Sequence, residues 1–203
     1  MELIVISPES HDPREAAAMG GFFAEGLARY HVRKPGWDEA TLEAWLQALP
    51  TPWRPRIVLH QHQRLVALMG LGGAHQKDAE AAPGAAACSR SCHDLATLRR
   101  ALAAYEYVFF GPVFPSISKA GHGPDDCFPW EELAAVLAAE VRLHRAEAFA
   151  IGGVTAERLE RCHDLGFDGA AVIGAVWSAT DPVRAYSTLR ERALALGAIH
   201  HAS

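Results

Sequence analysis

Eleven histidines occur among the 203 residues of this chain, and several follow short apolar runs in the company of basic and hydroxyl residues. The groups are His31, Arg33 and Lys34; His60, Gln61 and His62; His75 and Gln76; Ser91 and His93; and Ser116, Ser118 and Lys119. Imidazole changes charge near neutral pH, so His60 and the loop residue His122 are candidates for moving a proton. Arginine offers a planar fork that matches carboxylate or phosphate, which points Arg33 at the anionic end of a substrate. Two glycine-bearing stretches, Ile151-Gly152-Gly153 and Val172-Ile173-Gly174-Ala175, let backbone N–H groups approach an anion closely. Gly152, Gly153, Ile173 and Gly174 are therefore expected to bind phosphate. His31, His60, His75 and His93 also raise zinc or nickel. That reading is outweighed, because Asp78 is the one carboxylate in view and so many histidines make chance groupings easy.

These residues need a scaffold that collects them. Leu3–Ser7, Arg29–Arg33, Arg56–His60, Gly73–Gln76, Ala86–Ser89, Tyr107–Phe110, Phe149–Ile151 and Gly169–Ile173 read as strands. Alanine-rich amphipathic segments lie between most of them: Pro13–Leu27, Asp38–Leu49, Leu65–Met69, Asp94–Ala104, Trp130–Leu143, Thr155–Leu165 and Pro182–Leu196. Asp12-Pro13, Asp94 and Thr155 supply helix starts. Alternation of strand and helix implies parallel pairing through right-handed crossovers. Eight such units close into a (β/α)8 TIM barrel, and about 200 residues is the small end of that α/β fold. An open doubly wound sheet is the alternative, but Ser7-Pro8-Glu9-Ser10 is not the Gly-rich turn it would carry. The fourth crossover, Lys77–Ala85, contains Pro83-Gly84 and is too short for a full helix. The irregular segment Gly111–Pro129 follows the sixth strand, where a long loop would lie over the catalytic face. One domain is expected over residues 1–203, with 197–203 as a frayed tail.

Composition narrows the partners. The formal net charge is −5 and the Lys and Arg residues are scattered, so no footprint for nucleic acid is present. No apolar run approaches the roughly 18–20 residues of a membrane helix, and the short N-terminal run with its acidic Glu2 is unlike a signal peptide. A cytoplasmic location is expected. Cys88, Cys92, Cys127 and Cys162 form no CxxC pair and read as buried thiols. Trp37, Trp45 and Trp53 could either pack in the core or form a homodimer surface.

Gly111-Pro112-Val113-Phe114-Pro115-Ser116-Ile117-Ser118-Lys119 resembles the G-P-[IV]-[FY]-P-T-x-T-K signature of the thiamine phosphate synthase family and its thiazole tautomerase sister group. Arg90-Ser91-Cys92-His93-Asp94-Leu95, Ala150-Ile151-Gly152-Gly153-Val154 and the stretch from Gly166 to Ala175 agree with that family in order and spacing. The resemblance implies a (β/α)8 barrel that binds a thiazole phosphate, with Lys119 and Ser91 at ligand-contacting positions. His75 and His93 match histidines of the family pattern and are expected to be mainly structural.

The departures lie on two strands. Where the family's second strand resembles Q-[LV]-R-x-K, this chain reads His31-Val32-Arg33-Lys34-Pro35. Where its third strand has Asn-Asp, with the Asp on Mg²⁺, the aligned residues are His60-Gln61. Neutral Gln61 is a poor ligand for Mg²⁺, which favours carboxylate oxygens, and only Asp78 could stand in. The expectation is therefore metal-independent tautomerisation of a thiazole carboxylate phosphate, with no cofactor. His60, His122 and Lys119 would be catalytic, and His31, Arg33, Lys34, Gln61, Ser91, Ser116 and Ser118 would line the substrate. One type of tautomerase has a catalytic His where this chain has Pro112. Two alternatives are Mg²⁺-dependent joining of hydroxymethylpyrimidine diphosphate to thiazole phosphate, and a non-catalytic relative that binds phosphorylated ligands.

Overall fold

The structure, a computed structural model, describes residues 1–77, 86–115, 123, 128–140 and 146–199. Strands β1 (Glu2–Ile6), β2 (Arg29–Val32), β3 (Ile57–Leu59), β4 (Gly73–Gln76), β5 (Ala87–Cys92), β6 (Tyr107–Phe110), β7 (Glu147–Ile151) and β8 (Gly169–Val172) form a closed parallel barrel in sequence order. Closure is made by β1, which pairs with β2 through Ile4↔Arg29 and with β8 through Glu2↔Gly169. The open sheet is thereby excluded. Around the barrel run helices α1 (Glu15–Ala24), α2 (Glu39–Gln47), α3 (Arg64–Met69), α4 (Leu95–Leu102), α5 (Trp130–Glu140), α6 (Leu159–Asp164), α7 (Gly174–Trp177) and α8 (Pro182–Ile199). The fourth crossover falls largely on residues 78–85, outside the described residues, as do Asp78, Ser116, Ser118, Lys119, His122 and the end of the tail.

Two apolar layers follow from strand alternation, since successive side chains face opposite sides of the sheet. Leu3 and Val5 pack outward against the helices with Phe22, Leu42, Leu98, Leu133 and Leu189. Ile4 and Ile6 point inward, where they meet Val58, Cys88, Tyr107, Phe109, Phe149 and Ala171. Size complementarity fills the interior. A Cβ on Gly169 would lie 2.5 Å from the Phe149 ring and 2.4 Å from the Glu2 carbonyl, so β8 leaves room for that ring by having no side chain there.

Asp94 caps α4, accepting from the Thr97 N–H at 2.8 Å, and the same geometry recurs from Asp38 to Thr41 at the start of α2. Asp12 does not begin α1. Its carboxylate closes a turn onto the Arg14 N–H at 2.9 Å, and the helix starts at Glu15. Strand β5 runs on to Cys92, further than its apolar pattern indicates, because β6 supplies partners as far as Cys92↔Phe110. Trp37, Trp45 and Trp53 are half-buried against the core, with Trp37 edge-on to Trp45 at 5.9 Å and Trp53 edge-on to Phe23 at 5.4 Å. Among the described residues, no helix is long and apolar enough to cross a membrane.

Truncating the fully buried Phe149 leaves a cavity that Gly169 cannot fill. Phe149→Ala is expected to cost about 3–5 kcal/mol of unfolding free energy, read from urea midpoints at unchanged slope. A loss below about 1 kcal/mol would show that the interior layer does not carry the fold.

Candidate functional site

The C-terminal ends of β2, β3 and β4 bring three imidazoles together. His31 lies within β2 and is fully buried, His60 follows β3, and His75 is buried on β4. His31 Nδ1 and His60 Nε2 are 3.0 Å apart and share one hydrogen bond. The other side of the His31 ring meets the Tyr107 hydroxyl at 2.8 Å across the barrel. His75 is held at both nitrogens, by Ser89 Oγ at 2.9 Å and Ser91 Oγ at 2.8 Å. This double grip depends on a register shift between Ala74 and His75 in the β4–β5 pairing. The rings pack closely: His60 stacks on His75 at 4.2 Å, and Phe109 covers His31 at 4.8 Å and His75 at 4.7 Å.

Burial dictates the charge state. Desolvation brings His75 down to about 3 and holds His31 and His60 well below the usual imidazole value. A proton on His75 would further disfavour one on either neighbour, and Arg33 and Lys77 add to the effect at His60. All three rings are therefore neutral at physiological pH. Tyr107 is shifted upward, chiefly by desolvation, and stays a phenol.

Above this cluster is an open pocket of about 260 Å³ lined by Arg33, Pro35, Trp37, His60, Gln61, His62 and Lys77. Arg33 reaches Glu9 at 2.5 Å and is about one-third exposed. Lys34, adjacent in sequence, turns the other way. Its ammonium is fully buried, donating to the Pro8 carbonyl at 2.8 Å, the Ser10 carbonyl at 3.0 Å and Glu15 Oε2 at 2.5 Å. The second Glu15 oxygen accepts from the Tyr30 hydroxyl at 2.8 Å, and the Trp37 ring lies 5.1 Å from Lys34 Nζ. Lys34 thus ties the loop after β1 to the loop after β2 and does not line the pocket. Gln61 donates its amide N–H to the Lys34 carbonyl and accepts from the Lys34 N–H at 3.3 Å. His62, at φ 52°, pairs with the Trp37 carbonyl at 3.0 Å. Both residues clamp the β2 loop while still contributing to the pocket wall.

The opposite side of the mouth is built by β6, β7 and β8. Gly152 and Gly153 have φ of 92° and 63°, conformations that favour glycine. A Cβ on Gly153 would fall 2.3 Å from the Pro115 carbonyl, so the loop after β6 lies directly on this turn. Val113 N–H donates to the Ile151 carbonyl at 2.9 Å and Phe114 N–H to Gly152 at 3.1 Å. Ile173 and Gly174 lead into the single turn of α7, anchored by the Trp177 indole on the Ile6 carbonyl at 2.8 Å. The glycines serve loop packing whether or not they also meet an anion. His93 is exposed and bonds the Gly111 carbonyl at 2.5 Å, apart from the other three histidines. Lys77 and the Tyr107 partner of His31 are the residues that sequence reasoning missed. The alternation of β6 could have marked Tyr107 as inward, whereas nothing in the sequence marked His31 as the ring it meets.

Residues 4–176 match the family model described as thiamine monophosphate synthase. The thiamine-phosphate synthase of Bordetella pertussis is 32% identical over 194 residues, covering 87% of each chain. That of Methylobacillus flagellatus is 29% identical over 196 residues, covering 88% of each. Among solved structures, a thiamine phosphate pyrophosphorylase from Bacteroides thetaiotaomicron superposes with a TM-score of 0.77 at 26% identity, covering 95% of this chain and 98% of that one.

The Lys34–Glu15 pair generates a stability test. Lys34→Met strands a buried carboxylate and is expected to cost about 3–5 kcal/mol, whereas Lys34→Met combined with Glu15→Leu should restore most of that loss. Equal destabilisation by the single and double variants, in urea unfolding, would show that the pair is not coupled.

Proposed function

Because the chain belongs to the thiamine monophosphate synthase family, we propose that it joins a hydroxymethylpyrimidine diphosphate to a thiazole phosphate. This is the alternative of the two enzymatic readings drawn from the sequence, and the names of the relatives support it over tautomerisation. The observation that carries it is the cationic pocket of Arg33 and Lys77 on the same barrel face as the Gly152-Gly153 and Gly174 turns. One end suits a diphosphate and the other a monophosphate. Arg33 would exchange Glu9 for diphosphate oxygens, which its fork matches in bidentate fashion. Lys77 would add a second positive charge. As the C–O bond to diphosphate breaks, its electron pair leaves with the diphosphate, and Arg33 and Lys77 stabilise that growing charge. The thiazole nitrogen then forms the new C–N bond.

Mg²⁺, which the family resemblance implies, finds no carboxylate among the described residues that line this pocket, and Gln61 stands where the acidic ligand would be. The described donor set does not fit a hard divalent cation.

A second reading, proton transfer on a thiazole carboxylate phosphate, is favoured by His60. It is a neutral imidazole at the pocket wall, oriented through one nitrogen by His31. Both reactions can be followed in parallel. With both substrates and added Mg²⁺, diphosphate release is expected, and Arg33→Ala should lower kcat/KM roughly 10- to 100-fold, the worth of a charged hydrogen bond. Metal-free tautomer interconversion without coupling would establish the second reading instead. Saturable binding with neither reaction would leave a non-catalytic ligand-binding protein.

A further inference from the structure

His31, His60 and His75 each offer one nitrogen, and the three donors lie within 4.8 Å of one another. We propose that they form a three-histidine site for a divalent transition metal of the zinc class, with its fourth position open to the pocket that Arg33 and Lys77 line. Metal binding at this cluster does not depend on which reaction the barrel performs.

Distances and ring contacts carry it. A zinc–nitrogen bond of about 2.0–2.1 Å puts tetrahedral donors roughly 3.4 Å apart, and His31 Nδ1 and His60 Nε2 already stand at 3.0 Å. His60 and His75 are stacked with 26° between their rings, so metal binding requires His60 to tilt until its in-plane lone pair faces the shared ion. His60 follows the end of β3, beyond the paired residues of that strand.

The outer partners are also in place. A metal-bound histidine ordinarily gives its second nitrogen to a fixed partner. His31 has the Tyr107 hydroxyl at 2.8 Å for that purpose. His75 has a serine hydroxyl at each nitrogen and keeps one whichever nitrogen ligates. The missing carboxylate is no obstacle, because three histidines and an open position make a sufficient zinc site. Imidazole donors also select zinc, nickel or copper over magnesium. A doubly charged ion beside Arg33 and Lys77 would take an anion as its fourth ligand, either hydroxide or an anionic group of a substrate.

Cobalt(II) reports this geometry directly, because four-coordinate Co²⁺ absorbs strongly in the visible range. The untagged full-length chain, stripped with a chelator, is titrated with Co²⁺. The expected result is a band that saturates at one equivalent and is abolished by one equivalent of Zn²⁺. His31→Gln and His60→Asn should each weaken Co²⁺ binding at least 100-fold, while His11→Asn and His93→Asn leave it unchanged. In the wild-type chain labelled with ¹⁵N-histidine, Zn²⁺ should shift the resonances of three rings together, a readout that does not depend on any variant folding. A featureless titration, stoichiometric binding that survives His31→Gln, or unshifted buried-ring resonances would overturn the proposal and leave the three rings as a hydrogen-bonded imidazole cluster.

Discussion

A polar ring enclosed in a closed barrel cannot fall back on water, and each of its nitrogens must find a partner or cost about 1–3 kcal/mol. Much of the mouth follows from that constraint. His31, fully buried on β2, is satisfied by Tyr107 on one side and His60 on the other. His75 is satisfied only because the irregular β4–β5 pairing sets two serines of β5 against it. Phe109 seals both rings from the barrel floor. The imidazoles are consequently neutral, and His60 is presented to the pocket in a set orientation.

A second buried polar group governs the loops above. The Lys34 ammonium gathers the Pro8 and Ser10 carbonyls and the Glu15 carboxylate, and so joins the loops after β1 and β2. Gln61 and His62 then hold the backbone of the β2 loop at Lys34 and Trp37. With Lys34 committed to the scaffold, the pocket's positive charge comes from Arg33 and Lys77. The described lining is thus rich in cationic and imidazole groups rather than in carboxylates.

The strand order was legible because closure of a parallel barrel needs only local patterns repeated eight times. Boundaries moved where tertiary partners extended or trimmed an element, as at β5, prolonged by β6, and at α1, whose start is delayed by the Asp12–Arg14 turn. Within the site, the histidines at the strand ends were visible as residue types. Their separation into a group of three, with His93 elsewhere, was not, because it depends on which neighbouring strand each ring faces. Lys34 looked equivalent to Arg33, and its burial against Glu15 could not be read from two residues separated by a helix and a strand.

By itself, then, the sequence determined the α/β class, the number and order of the strands, the family resemblance and the stock of chemistry-bearing residues at the mouth. These follow from periodicity and from side-chain type, which are properties of short stretches of chain. Tertiary structure alone decided which of those residues meet, which are consumed in holding loops and which remain to face a ligand. The physical reason is that desolvation and hydrogen-bond satisfaction are set by neighbours distant in sequence. Tyr107 fixes His31 across 76 positions, and Glu15 claims Lys34 across 19.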